Sequence, residues 1–436
     1  MRKDSIANRQ VDFREEAGPS RSSHQEITDS AQESGLTRFN PINKESMRHF
    51  HESIVLNLIR DYAPISRRKL ARSIGLNEST ISSIVKGLVE AGLVYEDGLG
   101  KSTGGRKPRL LRLDGKRSVT VGVTIGVDKT TIALSTFAGR IFHKTQFPTH
   151  RNPESFLSQL TQEIRRVLNY VDPEKHIEGF GISLPGLVDT AQGKVIYSSN
   201  LNWRNVTIAG ALIEEFGLTL GRDLFFEDDV RAAALAQVMF GDLKECRHGD
   251  AVSILINEGL GTGIIIGGQL YCGYNLGAGQ FGHVSLQHTG PKCGCGNRGC
   301  WEVYCSDPAT IQRYLSYLSK EEAETSRTIG MDGLIRLARQ GNSKATKALL
   351  KTATYLGRGI SIVINSLNPE VIVLNGYLSK AWDLIEAEVL RVVQNRALQP
   401  NLENLRIVPS SIKENSCLIG AVSLVLSKNF VIPKIA

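Results

Sequence analysis

The stretch LGAGQFGHVSLQHTGPKCGCGNRGCWEVYCS, residues 276–306, holds four of the chain's seven cysteines, and three of them, Cys293, Cys295 and Cys300, lie within eight residues. Gly294, Gly296 and Gly299 separate them, as a backbone wrapping an ion requires. Zinc takes four ligands in a tetrahedron, and three thiolates with one imidazole form a common closed set. His283 and His288 are the candidates for the imidazole, and spacing alone does not choose between them. Four protein ligands leave no open position, so the metal read here is a structural Zn2+ rather than a catalytic one. The remaining cysteines, Cys246, Cys272, Cys305 and Cys417, are isolated and read as ordinary buried thiols.

Outward from this stretch, 436 residues exceed one ordinary domain and predict two or three. A hydrophobic content of 41% suits a globular core. No apolar run reaches the roughly eighteen residues of a membrane span, and MRKDSIANRQVDFREEAGPS at the start has no signal-like apolar stretch. These observations predict a cytoplasmic protein whose thiols stay reduced, where a cysteine cluster holds metal more often than it forms disulfides. Between Lys44 and Arg117 stand fifteen Lys/Arg against eight Asp/Glu, a local net of +7 out of the chain's +8. One basic segment beside a neutral body predicts a polyanionic partner for that segment alone.

Residues 1–42 are rich in Ser, Glu, Gln and Arg and are read as a disordered polar tail; patterning begins near Met47, a candidate start. Residues 43–115 read as a winged helix-turn-helix. MRHFHESIVLNLIRDY places Phe50, Ile54 and Leu58 on one helix face, with Val55 and Ile59 beside them. Ser66 caps a short helix through Ala71, Gly75 supplies the turn, Asn77 caps a second helix over Glu78–Glu90, and Gly92 ends it. Ile81, Ile84, Val85 and Leu88 face inward, leaving Ser79, Thr80, Ser82, Ser83 and Lys86 outward on the helix that enters a major groove in such motifs. Arg67 and Arg68 are placed for phosphates, and the tip of the following two-stranded wing carries Arg106 and Lys107, suited to a minor groove. The expected partner is double-stranded operator DNA.

From Ser118 onward strands interleave with helices, which predicts α/β layers. Two Gly-punctuated hairpins, one at Val121 and one at Ile254, predict two lobes of related fold.

The 276–306 stretch resembles the signature of the ROK family of repressors and sugar kinases, Gly-Ala-Gly-Glu-x-Gly-His followed by Cys-x-Cys-Gly-x-x-Gly-Cys-x-Glu. LPGLVD (184–189), NLNW (200–203), EDDVRAAALA (227–236) and NPEVIVLNG (368–376) extend the resemblance over nearly everything from Ser118 onward. It implies an actin-like (ribonuclease-H-like) two-lobed sugar-kinase fold over 116–436. Lobe one takes about 118–230 with the last helix, about 416–430, and lobe two about 231–415. It selects His283 as the fourth zinc ligand beside Cys293, Cys295 and Cys300. It also implies an effector site in the interlobe cleft, with Asp229 at the kinases' catalytic-base position and His283 and Glu302 as sugar contacts.

The same resemblance separates kinase from repressor. The kinases' Asp-x-Gly-Gly-Thr aligns with Thr124–Asp128, and their Gly-Thr-Gly-x-Gly with Asn257–Gly261. Thr124 has lost the magnesium-organising acid, while Asp128 and Glu258 bring carboxylates to loops that must approach phosphate. The GTG at 261–263 falls four residues late, and the adenine-side Gly pair is reduced to Gly376. No enzyme activity is expected. Asp228, Arg231 and Gln280 depart from the family's Asn, Asn and Glu, so a phosphorylated or acidic effector meeting Arg231 is one expectation. The chain reads as a regulator, most simply a homodimeric repressor of carbohydrate genes controlled by a sugar or sugar phosphate. The alternative is a sugar kinase with an added DNA-binding head, resting on the retained Asp229. A zinc-responsive sensor fits poorly, because a sensor's metal must exchange from its site.

Overall fold

A computed structural model describes residues 44–100, 107–115, 117–243 and 249–430. The expected tail over 1–42, Arg106 and Cys246 lie outside them. The chain falls into two units, 1–47 with 434–436 and Arg48–Pro433, and the architecture described is that of the second. Among the described residues no helix is long and apolar enough to cross a membrane.

Helix α1 (Lys44–Tyr62) leads through β1 (Ile65–Ser66) into α2 (Arg67–Ile74), α3 (Glu78–Glu90), β2 (Val94–Leu99) and β3 (Arg109–Leu113). Local chemistry sets each boundary. The Ser66 hydroxyl accepts from Lys69 N, and α2 runs three residues past the Ala71 expected, to a left-handed Gly75 at φ 77°. Asn77 Oδ1 accepts from Thr80 N and opens α3, whose buried residues are Ile81, Ile84, Val85 and Leu88 as the periodicity predicts. The strands pair in the order β1-β3-β2 as a small antiparallel wing. Helix α1 departs from its predicted face. Val55, Leu56, Asn57 and Ile59 are buried, while Phe50, Ile54 and Leu58 are only partly covered. The cause is a second packing partner: the head shares one apolar cluster with Val422, Leu426 and Phe430 of the last helix, and Asn57 Nδ2 donates to Phe430 O at 2.5 Å.

The first lobe runs β4 (Ser118–Ile125), β5 (Lys129–Thr136), β6 (Ile141–Pro148), α4 (Pro153–Leu168) and β7 (His176–Leu184). It continues through a small sheet of β8 (Leu187–Asp189), β9 (Lys194–Ser198) and β10 (Trp203–Thr207), then α5 (Ala209–Phe216), β11 (Leu224–Asp228) and α6 (Asp229–Phe240). The second holds β12 (Ala251–Ile256), β13 (Leu260–Ile266), β14 (Gln269–Tyr271), α7 (Glu302–Cys305), α8 (Asp307–Leu315), α9 (Lys320–Thr325) and α10 (Met331–Arg339). It ends with α11 (Ser343–Leu367), β15 (Val371–Gly376), α12 (Trp382–Gln394) and β16 (Arg406–Pro409), after which the last helix, α13 (Ser416–Phe430), returns to the first-lobe sheet.

The strand orders β6-β5-β4-β7-β11 and β14-β13-β12-β15-β16 are the same topology, an antiparallel meander extended by two parallel strands. This bears out the two related lobes expected from the two hairpins. Helix α13 lies on β4 and β7, α6 lies on β12 and β13, and the two helices pack on each other. Small residues permit that stack. A Cβ at Gly181 of β7 would run into Ala421 O, and one at Gly420 into Ala232 O. The GTG at 261–263 is part of the same device: it lies inside β13, and its two glycines receive Val230 and Ala234 of α6. Hydrophobicity on all sides is what buries α13 between layers.

Candidate functional site

The cysteine loop closes on itself through backbone bonds, Cys293 N to Asn297 O at 2.8 Å and Gly299 N to Pro291 O at 2.8 Å. It is anchored by Trp301, which lies flat against Gly359 of α11, where a side chain would not fit. His283 Nδ1 stands 3.6 Å from Cys293 Sγ, Cys295 Sγ stands 3.7 Å from Cys300 Sγ, and the four donor atoms all fall within 4.8 Å of one another. A tetrahedron with Zn–S of about 2.3 Å and Zn–N of about 2.0 Å has S–S edges of about 3.8 Å and S–N edges of about 3.5 Å. The donors therefore fit zinc, and His288, exposed, is outside the group. A metal held there would cross-link the turn Gln280–His283 to the start of α7. Cys305 and Cys417 are buried as expected, whereas Cys272 is only partly buried, under the carboxylates of Glu227 and Asp228.

Glu302 follows the loop directly as the first residue of α7. Its Oε2 accepts from Leu260 N at 3.1 Å, and a Cβ on Gly259 would come within 2.8 Å of that oxygen. The zinc loop thus sets Glu302 against the turn Asn257–Gly259, which joins β12 to β13. Asn200, from the first lobe, reaches the same turn, its Nδ2 4.0 Å from where a Gly259 Cβ would be.

The first-lobe wall is the junction of β11 and α6. Asp228 caps α6, accepting from Arg231 N at 2.8 Å through Oδ1, and its Oδ2 sits 2.7 Å from Arg231 Nη2. Arg231 also binds Glu227 Oε1 at 2.6–2.8 Å and Leu276 O at 2.6 Å, and is only 3% exposed. Arg231 is thus placed differently from the expected contact for an acidic or phosphorylated effector: its guanidinium is buried against Glu227, Asp228 and Leu276 O. Asp228 is likewise engaged in the helix cap and the ion pair, and burial raises both Asp228 and Glu227 above the usual carboxylate range.

Asp229 alone of this trio stands without a cation. Burial first, then the charges of Asp228 and Glu258, push it up to about 7. Glu258 also faces Asp307 of α8, which burial, Glu258 and Asp332 together push up to about 8, and whose Oδ1 is buried with no hydrogen-bond partner. The structure therefore gathers Asp229, Glu258, Glu302 and Asp307, and leaves Gln280 exposed on the neighbouring turn. Asp307, Asn200 and Glu227 were not singled out from sequence. Asn200 opens the NLNW match and Glu227 stands four residues before Arg231, whereas Asp307 had no signal in the sequence.

In the first hairpin, Gly126 N donates to Lys129 O at 3.0 Å, closing the turn that carries Asp128, while Thr124 is buried at the end of β4.

On the head, Ser79, Ser82, Ser83 and Lys86 form an exposed face of α3, with Thr80 half-exposed beside them. Arg68 and Lys107 are exposed too. Arg67 is placed differently from the phosphate contact expected. Its Nη2 donates to Glu96 Oε1 of the wing at 2.8 Å, and that carboxylate, also bound by Arg109, is held below its usual range by the two guanidinium groups.

Residues 120–428 match the ROK family, and residues 54–95 match a winged helix-turn-helix DNA-binding family. A xylose repressor from Bacillus spizizenii is 31% identical over 387 residues, covering 87% of this chain and 96% of its own. An N-acetylglucosamine repressor from Escherichia coli O6:H1 is 29% identical over 389 residues, covering 88% and 94%. A solved ROK family transcriptional regulator, a homolog of the E. coli MLC protein, superimposes with a TM-score of 0.73 at 26% identity, over 88% of this chain and 98% of that one. The chain belongs to the ROK family and, with its winged helix-turn-helix, is a DNA-binding transcriptional regulator of that family.

Proposed function

We propose that this ROK regulator is a cytoplasmic, homodimeric repressor of genes for carbohydrate uptake or catabolism, released from operator DNA when a sugar or sugar phosphate enters the interlobe cleft. Residues 43–115 act as the DNA-binding head and 116–436 as the effector-binding and dimerising body. The reading is carried by one arrangement: the exposed face of α3 and the acid-lined cleft are joined by two continuous helices. Helix α6 begins at Asp229 in the cleft and ends at Met239 and Phe240, which pack with the head; α13 begins beside Ser183 and ends at Phe430, on Asn57. A ligand that draws the lobes together moves both helices and therefore the head. The shift is limited by the ligand's differential affinity for the two states.

In this reading Ser79, Thr80, Ser82, Ser83 and Lys86 meet the major groove, Arg68 and Lys107 the phosphates, and Arg106 the wing contact. Asp229, His283 and Glu302 accept or donate to sugar hydroxyls. Structural zinc on His283, Cys293, Cys295 and Cys300 holds the loop that positions Glu302, and no phosphoryl transfer occurs. Footprinting of chromosomal upstream fragments, with and without a sugar panel, tests the proposal. A footprint lost with one sugar is the expected result. A footprint indifferent to every sugar and sugar phosphate overturns it, and ATP consumption with a sugar substrate restores the kinase reading.

A further inference from the structure

We infer that Glu78, the first residue of α3, selects cytosine at one position of each operator half-site. The inference rests on the reading of α3 as the helix that enters the major groove, and goes beyond it to a residue that reads a base.

The N-terminal residues of such a helix reach the base edges. Glu78 opens α3 and is exposed, four residues before Ser82 and eight before Lys86. It brings a carboxylate to a head whose excess charge is positive, where an anion close to phosphates weakens binding to any DNA. The wing acids Glu96 and Asp97 are paired with Arg67, Arg109 and Arg112. Glu78 is held more loosely. Arg68 Nε, from α2, stands 3.7 Å from its Oε1, and both side chains are exposed. That distance exceeds a hydrogen bond, so Arg68 offsets the charge and leaves the carboxylate's lone pairs open.

The neighbouring side chains cannot replace it. Asn77 Oδ1 already accepts from Thr80 N at 2.7 Å and from Ser79 Oγ at 2.8 Å. The helix cap thus uses the amide oxygen that a bidentate reading of adenine needs, and the Ser79 hydroxyl proton with it. The strongest acceptor left at this end of α3 is the Glu78 carboxylate, which accepts and cannot donate. Guanine and thymine present O6, N7 or O4 to the major groove, and adenine sets N7 beside its amino group. Cytosine presents only its N4 amino group. A carboxylate therefore finds a donor without a competing acceptor at cytosine alone of the four bases.

The test is selection of bound duplexes from a random-sequence library by the zinc-loaded full-length protein, repeated with Glu78→Gln, Glu78→Ala and Ser83→Ala. A melting curve of each variant confirms that it folds. The expected result is one cytosine per half-site in the sequence enriched by the parent. Glu78→Gln should replace it with adenine, because a carboxamide accepts from N6 while donating to N7, and Glu78→Ala should show no preference there. Exchanging that cytosine in the enriched duplex should weaken the parent by at least about tenfold and Glu78→Ala by less than about twofold. Identical bases enriched by the parent and both Glu78 variants, with a different set from Ser83→Ala, overturn the inference and leave the reading of α3 intact. Tighter binding of Glu78→Gln to all duplexes alike, with no change of base, also overturns it, because the carboxylate then acts only as a repelling charge. If none of the three variants changes the enriched sequence, α3 is not the reading helix, and the inference falls with that reading.

Discussion

Asp307→Asn is expected to stabilise the protein, and to do so more strongly as pH rises. The carboxyl begins α8 with its Oδ1 buried and unpartnered, and burial, Glu258 and Asp332 together push it up to about 8, with Lys380 opposing them. In the unfolded chain the same group titrates near 4. A folded value above the unfolded one contributes stability that is fully present below about pH 4 and is lost progressively as pH rises toward 8. About four pKa units at 1.36 kcal/mol each amount to roughly 5 kcal/mol against the folded state at alkaline pH. The side chain keeps partial contact with water, which reduces the figure to about 2–3 kcal/mol. Asparagine keeps the shape and never ionises. At pH 8.5 the variant should therefore gain about 2–3 kcal/mol, or on the order of 5 °C in Tm. At pH 5 only the first pH unit of the loss has accrued, and the gain should fall below about 1 kcal/mol. Urea and thermal unfolding of zinc-loaded protein and variant at both pH values measure this directly. A variant less stable than the parent at pH 8.5, or a difference independent of pH, refutes the reasoning, because it means that Asp307 is ionised and well paired in the fold.

Three further outcomes are expected. Metal analysis should find one zinc per chain in the parent and none in Cys300→Ser; the variant should lose several kcal/mol of stability and become open to proteolysis between His283 and Glu302. Phe430→Ala removes a ring buried in the cluster it shares with the head, with the first-lobe Phe137 ring tilted against it at 5.4 Å, and should cost about 3–5 kcal/mol while weakening DNA binding and leaving sugar affinity unchanged by calorimetry. Lys86→Ala should lower the slope of log binding constant against log salt by about 1, whereas Arg67→Ala should leave that slope nearly intact, because its guanidinium is occupied by Glu96.

What was legible in the sequence was local or periodic. The zinc donors stand within eighteen residues, and a glycine-rich loop has few ways to bring them together, so spacing nominated the cysteines and the family pattern chose the histidine. The α3 helix announced itself by its Asn77 cap and its inward Ile81, Ile84, Val85 and Leu88. Errors came where a second partner intervened. The predicted face of α1 was displaced because Phe430, hundreds of residues away in the chain, competes for it. Arg231 was read as free because nothing local proves a guanidinium consumed; Glu227 and Asp228, at four- and three-residue spacing, were the available clues. The acid cluster was the least legible part, although Asp229 and Glu258 had each been noted. Their meeting depends on topology. Asp229 follows the end of β11 and Glu258 follows the end of β12. In each lobe these strands run parallel to a central neighbour, so their carboxyl ends open toward the same crevice, where ligands of α/β sheets bind. The duplication of one strand order thus brings a retained acid, Asp229, and a substituted one, Glu258, toward one crevice. A carboxylate at position 258 is an exposed loop residue if the lobes are read singly, and a neighbour of Asp229 in charge once they are read as a pair.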